Sequence, residues 1–133
     1  MSISSGQIDE SERRFSPEER RIAEILVREG RMVSAKAEVK HKRMGDAIVD
    51  GTLMEFKSLT TTTADSETIR NTINNSIRRG GQARHIIIDA RRSGLTEVEA
   101  IRGLARVRNI TRGMMDSVRI IGDRFDVTST DFR

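Results

Sequence analysis

Asp46-Ala-Ile-Val-Asp50, Gly51 and then Thr52-Leu-Met-Glu-Phe-Lys-Ser58 are two short strand-like runs meeting at an Asp-Gly pair. Both residues of such a pair tolerate positive φ, which makes Asp-Gly a strong signal for a two-residue β-hairpin loop. Counting outward from the turn, Val49 then faces Thr52, Ile48 faces Leu53 and Asp46 faces Glu55. Directly opposite residues share a sheet face, with Cβ atoms roughly 4.5–5.5 Å apart. Lys57 lies two positions beyond Glu55 and so belongs to the same face, because strand side chains alternate with period two. Turn chemistry alone therefore predicts Asp46, Glu55 and Lys57 together.

Two carboxylates facing each other repel and cost stability, and a divalent cation between them reverses that sign. Mg²⁺ takes one or two protein carboxylates, keeps several waters and adds substrate phosphate oxygens, and Mn²⁺ or Zn²⁺ are the alternatives. A neighbouring ammonium can position the attacking water and offset developing negative charge. The competing reading of Asp46, Glu55 and Lys57 is a surface salt bridge.

Outward from the hairpin, the pattern alternates helix and strand. Ser16 is placed to cap a helix, Pro17 suits its first position, and Glu19 completes a capping box with Ser16. Ile22, Ala23, Ile25 and Leu26 form its apolar stripe, and Gly30 ends it. Residues 32–58 read as strands, and Thr60 to Thr63 as a loop. A second helix is predicted over 66–80, with Ile69, Ile73 and Ile77 on one side, followed by the short buried strand His85-Ile-Ile-Ile-Asp89. A third runs from Thr96 to Arg108 and is capped by Thr96 or Ser93. Val118 to Ile121 and Phe125 to Val127 close the chain as strands around Gly122-Asp123. The expected order is α-β-β-β-α-β-α-β-β, a mixed α/β domain over residues 16–133, with residues 1–15 a flexible lead-in.

Composition narrows the function classes. With 133 residues the chain holds one ordinary domain. It has no cysteine, which excludes disulfides, thiolate metal sites and a cysteine nucleophile. No apolar run approaches a membrane span, and no basic-then-apolar leader is visible at the start. The expectation is a cytoplasmic chain or a piece of something larger exported by other means. Twenty arginines stand against four lysines, and residues 70–112 hold ten Arg against Asp89, Glu97 and Glu99. Guanidinium forks match phosphate oxygens, so the excess points to a polyanion, although an ordinary solvated surface also explains it. Four Phe without Trp or Tyr argue against readers that stack single-stranded bases on aromatic platforms. Two separated histidines, His41 and His85, lack tight zinc spacing, and neither a nucleophile elbow nor a phosphate-binding glycine loop is present.

Gly45-Asp46 followed by Glu55-Phe56-Lys57 resembles the PD-(D/E)XK nuclease core, with Met44-Gly45 where that family often has a proline. More narrowly, residues 46–58 resemble C-terminal toxin domains of the CdiA contact-dependent growth inhibition type. So do Thr68-Ile-Arg-Asn-Thr-Ile73, Gly81-Gln82-Ala83 and Ile86-Ile-Ile-Asp89. The likeness covers about residues 16–90. It implies a restriction-endonuclease-like fold and a metal-dependent nuclease, often acting on tRNA. It further implies delivery into a neighbouring cell as part of a larger effector, action in that cell's cytoplasm, and inhibition by a dedicated immunity protein.

That nuclease class often draws a further carboxylate from its first helix. Glu19 lies within the inward stripe and Glu24 toward solvent, so Glu19 is the expected member, although the capping box alone also explains it. Gln82, between the Gly-Gly pair and the Ile strand, is where related nucleases place a polar residue at the edge of the site. Expected phosphate contacts are His41 and Lys42, in the basic run before the hairpin, and Arg78, Arg79, Arg84, Arg91 and Arg92, around the end of the second helix and the Ile strand, with a solvated charge run and helix solubilisation as the respective alternatives. Asp46 and Glu55 are the expected metal ligands, with Lys57 assisting the nucleophile. DNA is the alternative substrate, and a non-catalytic Arg-rich nucleic-acid-binding module is the alternative class.

Overall fold

The computed structural model describes residues 6–37, 46–78, 83–108, 111 and 113–132. Among them are seven strands and three helices. In chain order they are β1 (Gln7–Asp9), α1 (Pro17–Arg28), β2 (Met32–Ala35), β3 (Ala47–Val49), β4 (Thr52–Ser58), α2 (Ser66–Arg78), β5 (His85–Asp89), α3 (Glu97–Val107), β6 (Ser117–Ile121) and β7 (Asp126–Ser129). The strands form one sheet in sequence order. Pairing is parallel for β1–β2, β4–β5 and β5–β6, and antiparallel for β2–β3, β3–β4 and β6–β7. The mixed α/β expectation holds. The strand it omits is β1: Gln7, Ile8 and Asp9, read from sequence as part of the lead-in, pair with Met32, Val33 and Ser34. Three residues with one apolar side chain carry too little pattern to announce a strand.

The helices divide the sheet's two faces. α1 begins as its residues dictate: the Ser16 hydroxyl accepts from the Glu19 N–H, and the Glu19 carboxylate accepts from the Ser16 N–H. Its Ile22, Ala23 and Leu26 pack on Val33, Ala47, Val49, Met54 and Phe56. The opposite face is covered by α2 and α3, whose Ile69, Ile73, Leu104 and Val107 close on Ile86, Ile88, Val118 and Ile120. Gly103 permits that pairing of helices, since a Cβ there would sit 2.6 Å from Ile69 Cβ. α3 is capped by Thr96, not Ser93, with the Thr96 hydroxyl accepting from Glu99 N–H at 3.2 Å. In β5, Ile87 points to the α1 side while Ile86 and Ile88 point to the α2–α3 side, so a continuous apolar run serves a strand buried on both faces. Among the described residues no helix is long and apolar enough to cross a membrane.

Candidate functional site

The hairpin forms as its turn residues require, with φ of 48° at Asp50 and 85° at Gly51. Val49 pairs with Thr52, Ile48 with Leu53 and Ala47 with Met54. At Asp46 the regular ladder breaks. Its carbonyl accepts from Lys36 N–H at 3.0 Å, while its own N–H donates to the Met54 carbonyl at 2.9 Å. In an undistorted strand those two groups of one residue point to the same side. The local twist lets an Asp46 carboxylate oxygen accept the Phe56 N–H at 2.8 Å, taking a ladder position that a main-chain carbonyl otherwise fills. Asp46 is thus held against the backbone on either side of Glu55 rather than directly opposite it.

Glu55 and Lys57 project from the face that carries α2, since their partners in β5 are Ile86 and Ile88. Glu55 is only 8% exposed. The Lys57 ammonium lies 3.1 Å from one of its carboxylate oxygens, and the Ser76 hydroxyl of α2 donates to the other. The Glu55–Lys57 pair is therefore an ion pair with one member buried, not a surface salt bridge. Ser58 belongs to the opposite face, where it lines a cleft with Arg21 and Glu24 of α1.

Glu19 reaches the same corner from the first turn of α1. Its side chain is 17% exposed against 53% for Glu24, which instead pairs with Arg20 on the solvent side. The Arg13 guanidinium donates to both Glu19 oxygens, at 2.9 and 3.2 Å. It donates as well to the Asp46 carbonyl at 2.7 Å and the Lys36 carbonyl at 2.5 Å. Arg13 also sits over the Phe15 ring, which stacks on Phe56 at 5.9 Å between centroids. One guanidinium thus ties the start of α1 to the end of β2 and the start of the hairpin.

The electrostatics follow from this crowding. Burial pushes the Asp46 carboxyl up to about 6. The Phe56 N–H and Lys57 oppose that rise, while the negative charges of Glu19 and Glu55 add to it. Burial acts in the same direction on Glu19, but Arg13 and the Ser16 N–H outweigh it and hold that carboxyl below its ordinary value. Asp46 is the carboxylate short of compensating charge, which suits the donor set to a cation bound by Asp46 and Glu55. Two oxygen donors with substrate phosphate and water completing the shell are the normal provision for Mg²⁺. Among the described residues no group of three or more His, Asp and Glu side chains forms a metal cage.

Of the expected phosphate contacts, Arg78 is exposed at the end of α2. Arg84 is committed to Asp116, which it holds at 3.0 and 3.2 Å, and to the Gly113 carbonyl at 2.8 Å. His41, Lys42, Arg79 and Gln82 lie outside the described residues. His85 is a strand-edge imidazole, 2.6 Å from the Ser117 hydroxyl. Two members of the site escape sequence reasoning. Ser76 left a trace, a polar residue three positions after Ile73 on the buried stripe of α2. Arg13 left none, because its role depends on where the chain before the helix crosses the sheet.

A family model described as the contact-dependent growth inhibition CdiA C-terminal domain matches residues 43–127. No curated protein matches the sequence. Among solved structures, a similar chain comes from the CdiA-CT/CdiI toxin and immunity complex of Burkholderia pseudomallei. The two share 17% identity and superpose with a TM-score of 0.68, over 92% of this chain and 98% of that one. At that identity the likeness concerns the fold.

Proposed function

The chain belongs to the CdiA C-terminal domain family of contact-dependent growth inhibition, and from that premise we propose that it is a metal-dependent endonuclease toxin of the PD-(D/E)XK type acting on tRNA. The observation that carries the reading is the gathering of Asp46 and Glu55, with Lys57 3.1 Å from Glu55, at the distorted end of one hairpin. An otherwise costly cluster of carboxylates at a corner tied down by Arg13 has an evident purpose if a cation completes it.

Asp46 and Glu55 would hold the ion. A divalent cation there supplies Lewis-acid activation of water and charge neutralisation at a phosphodiester. Lys57 is fixed by Glu55 so that its ammonium stands beside the reacting phosphate, where it orients the attacking water and balances charge developing on oxygen. Ser76 keeps the Glu55 carboxylate from swinging away. Glu19 is an outer carboxylate facing Asp46, with its direction set by Arg13. In the net reaction water adds to phosphorus and one P–O ester bond breaks, leaving a phosphate monoester and a hydroxyl.

By likeness to the toxin and immunity complex, a cognate immunity protein is its partner. By its family it is the C-terminal part of a larger delivered effector. On the proposed reading it would meet tRNA in the target-cell cytoplasm. The test is to incubate total tRNA and plasmid DNA with the protein and Mg²⁺, Mn²⁺ or Zn²⁺. Metal-dependent cutting of tRNA alone, lost in Glu55→Gln, is the expected result. Cutting of DNA alone would move the substrate to DNA, and binding without any cutting would make the domain a nucleic-acid-binding module.

A further inference from the structure

A second basic feature lies outside the Asp46 site. A cleft of about 430 Å³ opens at the carboxyl ends of β4 and β5, between α1 and the turns after β5 and β6. Its floor is Ser58 and Asp89, the paired last residues of those parallel strands.

The cleft's charges are not all alike. Asp89 is consumed by the Arg91 fork, with both contacts at 2.9 Å. Asp123 accepts the Arg92 main-chain N–H at 3.1 and 3.2 Å and so pins Arg92 at a φ of 63°, a left-handed conformation that a residue of this size rarely adopts. Glu24 pairs outward with Arg20. Among the described residues this leaves the Arg21, Arg28 and Arg92 guanidiniums lining the cleft without a carboxylate in ion-pair contact, though Arg21 acts on Asp89 through space. Arg21 and Arg28 are seven residues apart on α1, roughly 10 Å along its axis. That exceeds the roughly 3.4 Å rise per phosphate of one nucleic-acid strand, so the row suits a strand better than a single ion.

We propose that Arg21, Arg28 and Arg92 form a phosphodiester-tracking groove that holds the substrate strand flanking the cut. The proposal rests on the nuclease reading. Ser58 follows Lys57 directly at the end of β4, a step of roughly 3.3 Å along an extended strand, and since its side chain points to the α1 face, a strand held at Lys57 would reach the groove by passing over the carboxyl end of β4. A polynucleotide held at Lys57 has to continue over neighbouring protein, and this edge offers it guanidinium forks. That continuity favours a nucleic-acid strand over an acidic protein as the occupant.

The test is anisotropy of labelled tRNA with EDTA present, so that binding is read without cleavage, over a series of salt concentrations. Arg21→Gln with Arg28→Gln changes exposed helix positions, and Arg92→Gly removes the third guanidinium while easing its backbone. Each set is expected to weaken binding about tenfold, and the double variant to flatten the salt slope by about two, one for each phosphate left without its guanidinium. Arg21→Lys with Arg28→Lys should recover most of the affinity. Affinity and slope unchanged in both sets, with the wild type still cutting tRNA, would overturn the groove and leave the nuclease reading standing. A wild type that neither binds nor cuts any polynucleotide would remove both. Polyglutamate competing as well as unlabelled tRNA, with the same weakening in the variants, would assign the cleft to an acidic protein and overturn the proposal, as would inorganic phosphate competing at equal concentration.

Discussion

The Asp46 carboxylate accepts the Phe56 N–H at 2.8 Å, so a side chain occupies a rung of the β3–β4 ladder. That single bond fixes the acidic group beside Glu55, and it also sets how the site responds to protons and to substitution.

Asp46→Asn keeps an acceptor for Phe56 and removes the charge. The folded-state value of about 6 lies above the ordinary 3.8, so the contribution from the protonated carboxyl is complete below about pH 4 and is lost as pH rises through 6. Metal-free Asp46→Asn should therefore exceed the wild type at pH 7.5 by on the order of 1 kcal/mol, allowing for partial solvent screening. The two stability curves should converge near pH 4. Urea unfolding at both pH values checks this, and an Asn variant less stable at pH 7.5 would refute the assignment of Asp46 as an undercompensated charge.

Protons and metal compete for the same carboxylate. With Asp46 titrating at about 6, only its ionised form ligates a cation. At a limiting Mg²⁺ concentration, tRNA cleavage should rise about tenfold from pH 5 to pH 7 and then level off. A flat profile over that range would separate Asp46 from metal binding.

Glu19 has two separable jobs. Glutamine can still complete the capping box with Ser16, whereas alanine cannot. Glu19→Ala should lose about 2 kcal/mol of stability and Glu19→Gln about 1, the latter from the broken fork with Arg13. If the carboxylate also serves the site, both variants fall at least tenfold in cleavage rate. Full activity in Glu19→Gln would reduce the residue to its cap.

Ser76 is the donor that satisfies one oxygen of a nearly buried carboxylate. Ser76→Ala should cost roughly 1.5–3 kcal/mol, the range for a hydrogen bond to a charged group. Denaturant midpoints measure it. A cost below about half a kcal/mol would mean that Glu55 does not depend on α2 for its orientation.

What was legible in the sequence follows the range of the interactions. The Ser16–Glu19 cap, the Asp50-Gly51 turn and the run His85–Asp89 are local patterns, and each reappears in the structure where its residues place it. Turn register also brought Glu55 and Lys57 to one face with Asp46 close by. Register alone could not show that Asp46 leaves the ladder, because that twist depends on the Lys36 N–H just past β2 and on Arg13 from before α1. β1 and Arg13 were hidden for one reason: their meaning arises only when Gln7–Asp9 lie against Met32–Ser34 and Arg13 reaches Lys36 and the hairpin. Arg84 reads as a free cation in sequence and is paired in space, since Asp116 is brought to it across the sheet.

The proposed chemistry stands on a cation held between Asp46 and Glu55. Calorimetric titration of Mn²⁺ into the metal-free protein at pH 7.5 tests that most directly, set beside Asp46→Asn and Glu55→Gln. One saturable site per chain is expected in the wild type, weakened at least tenfold or abolished in each variant while both remain folded. No binding by the wild type at millimolar Mn²⁺, or binding that either substitution leaves intact, would contradict it.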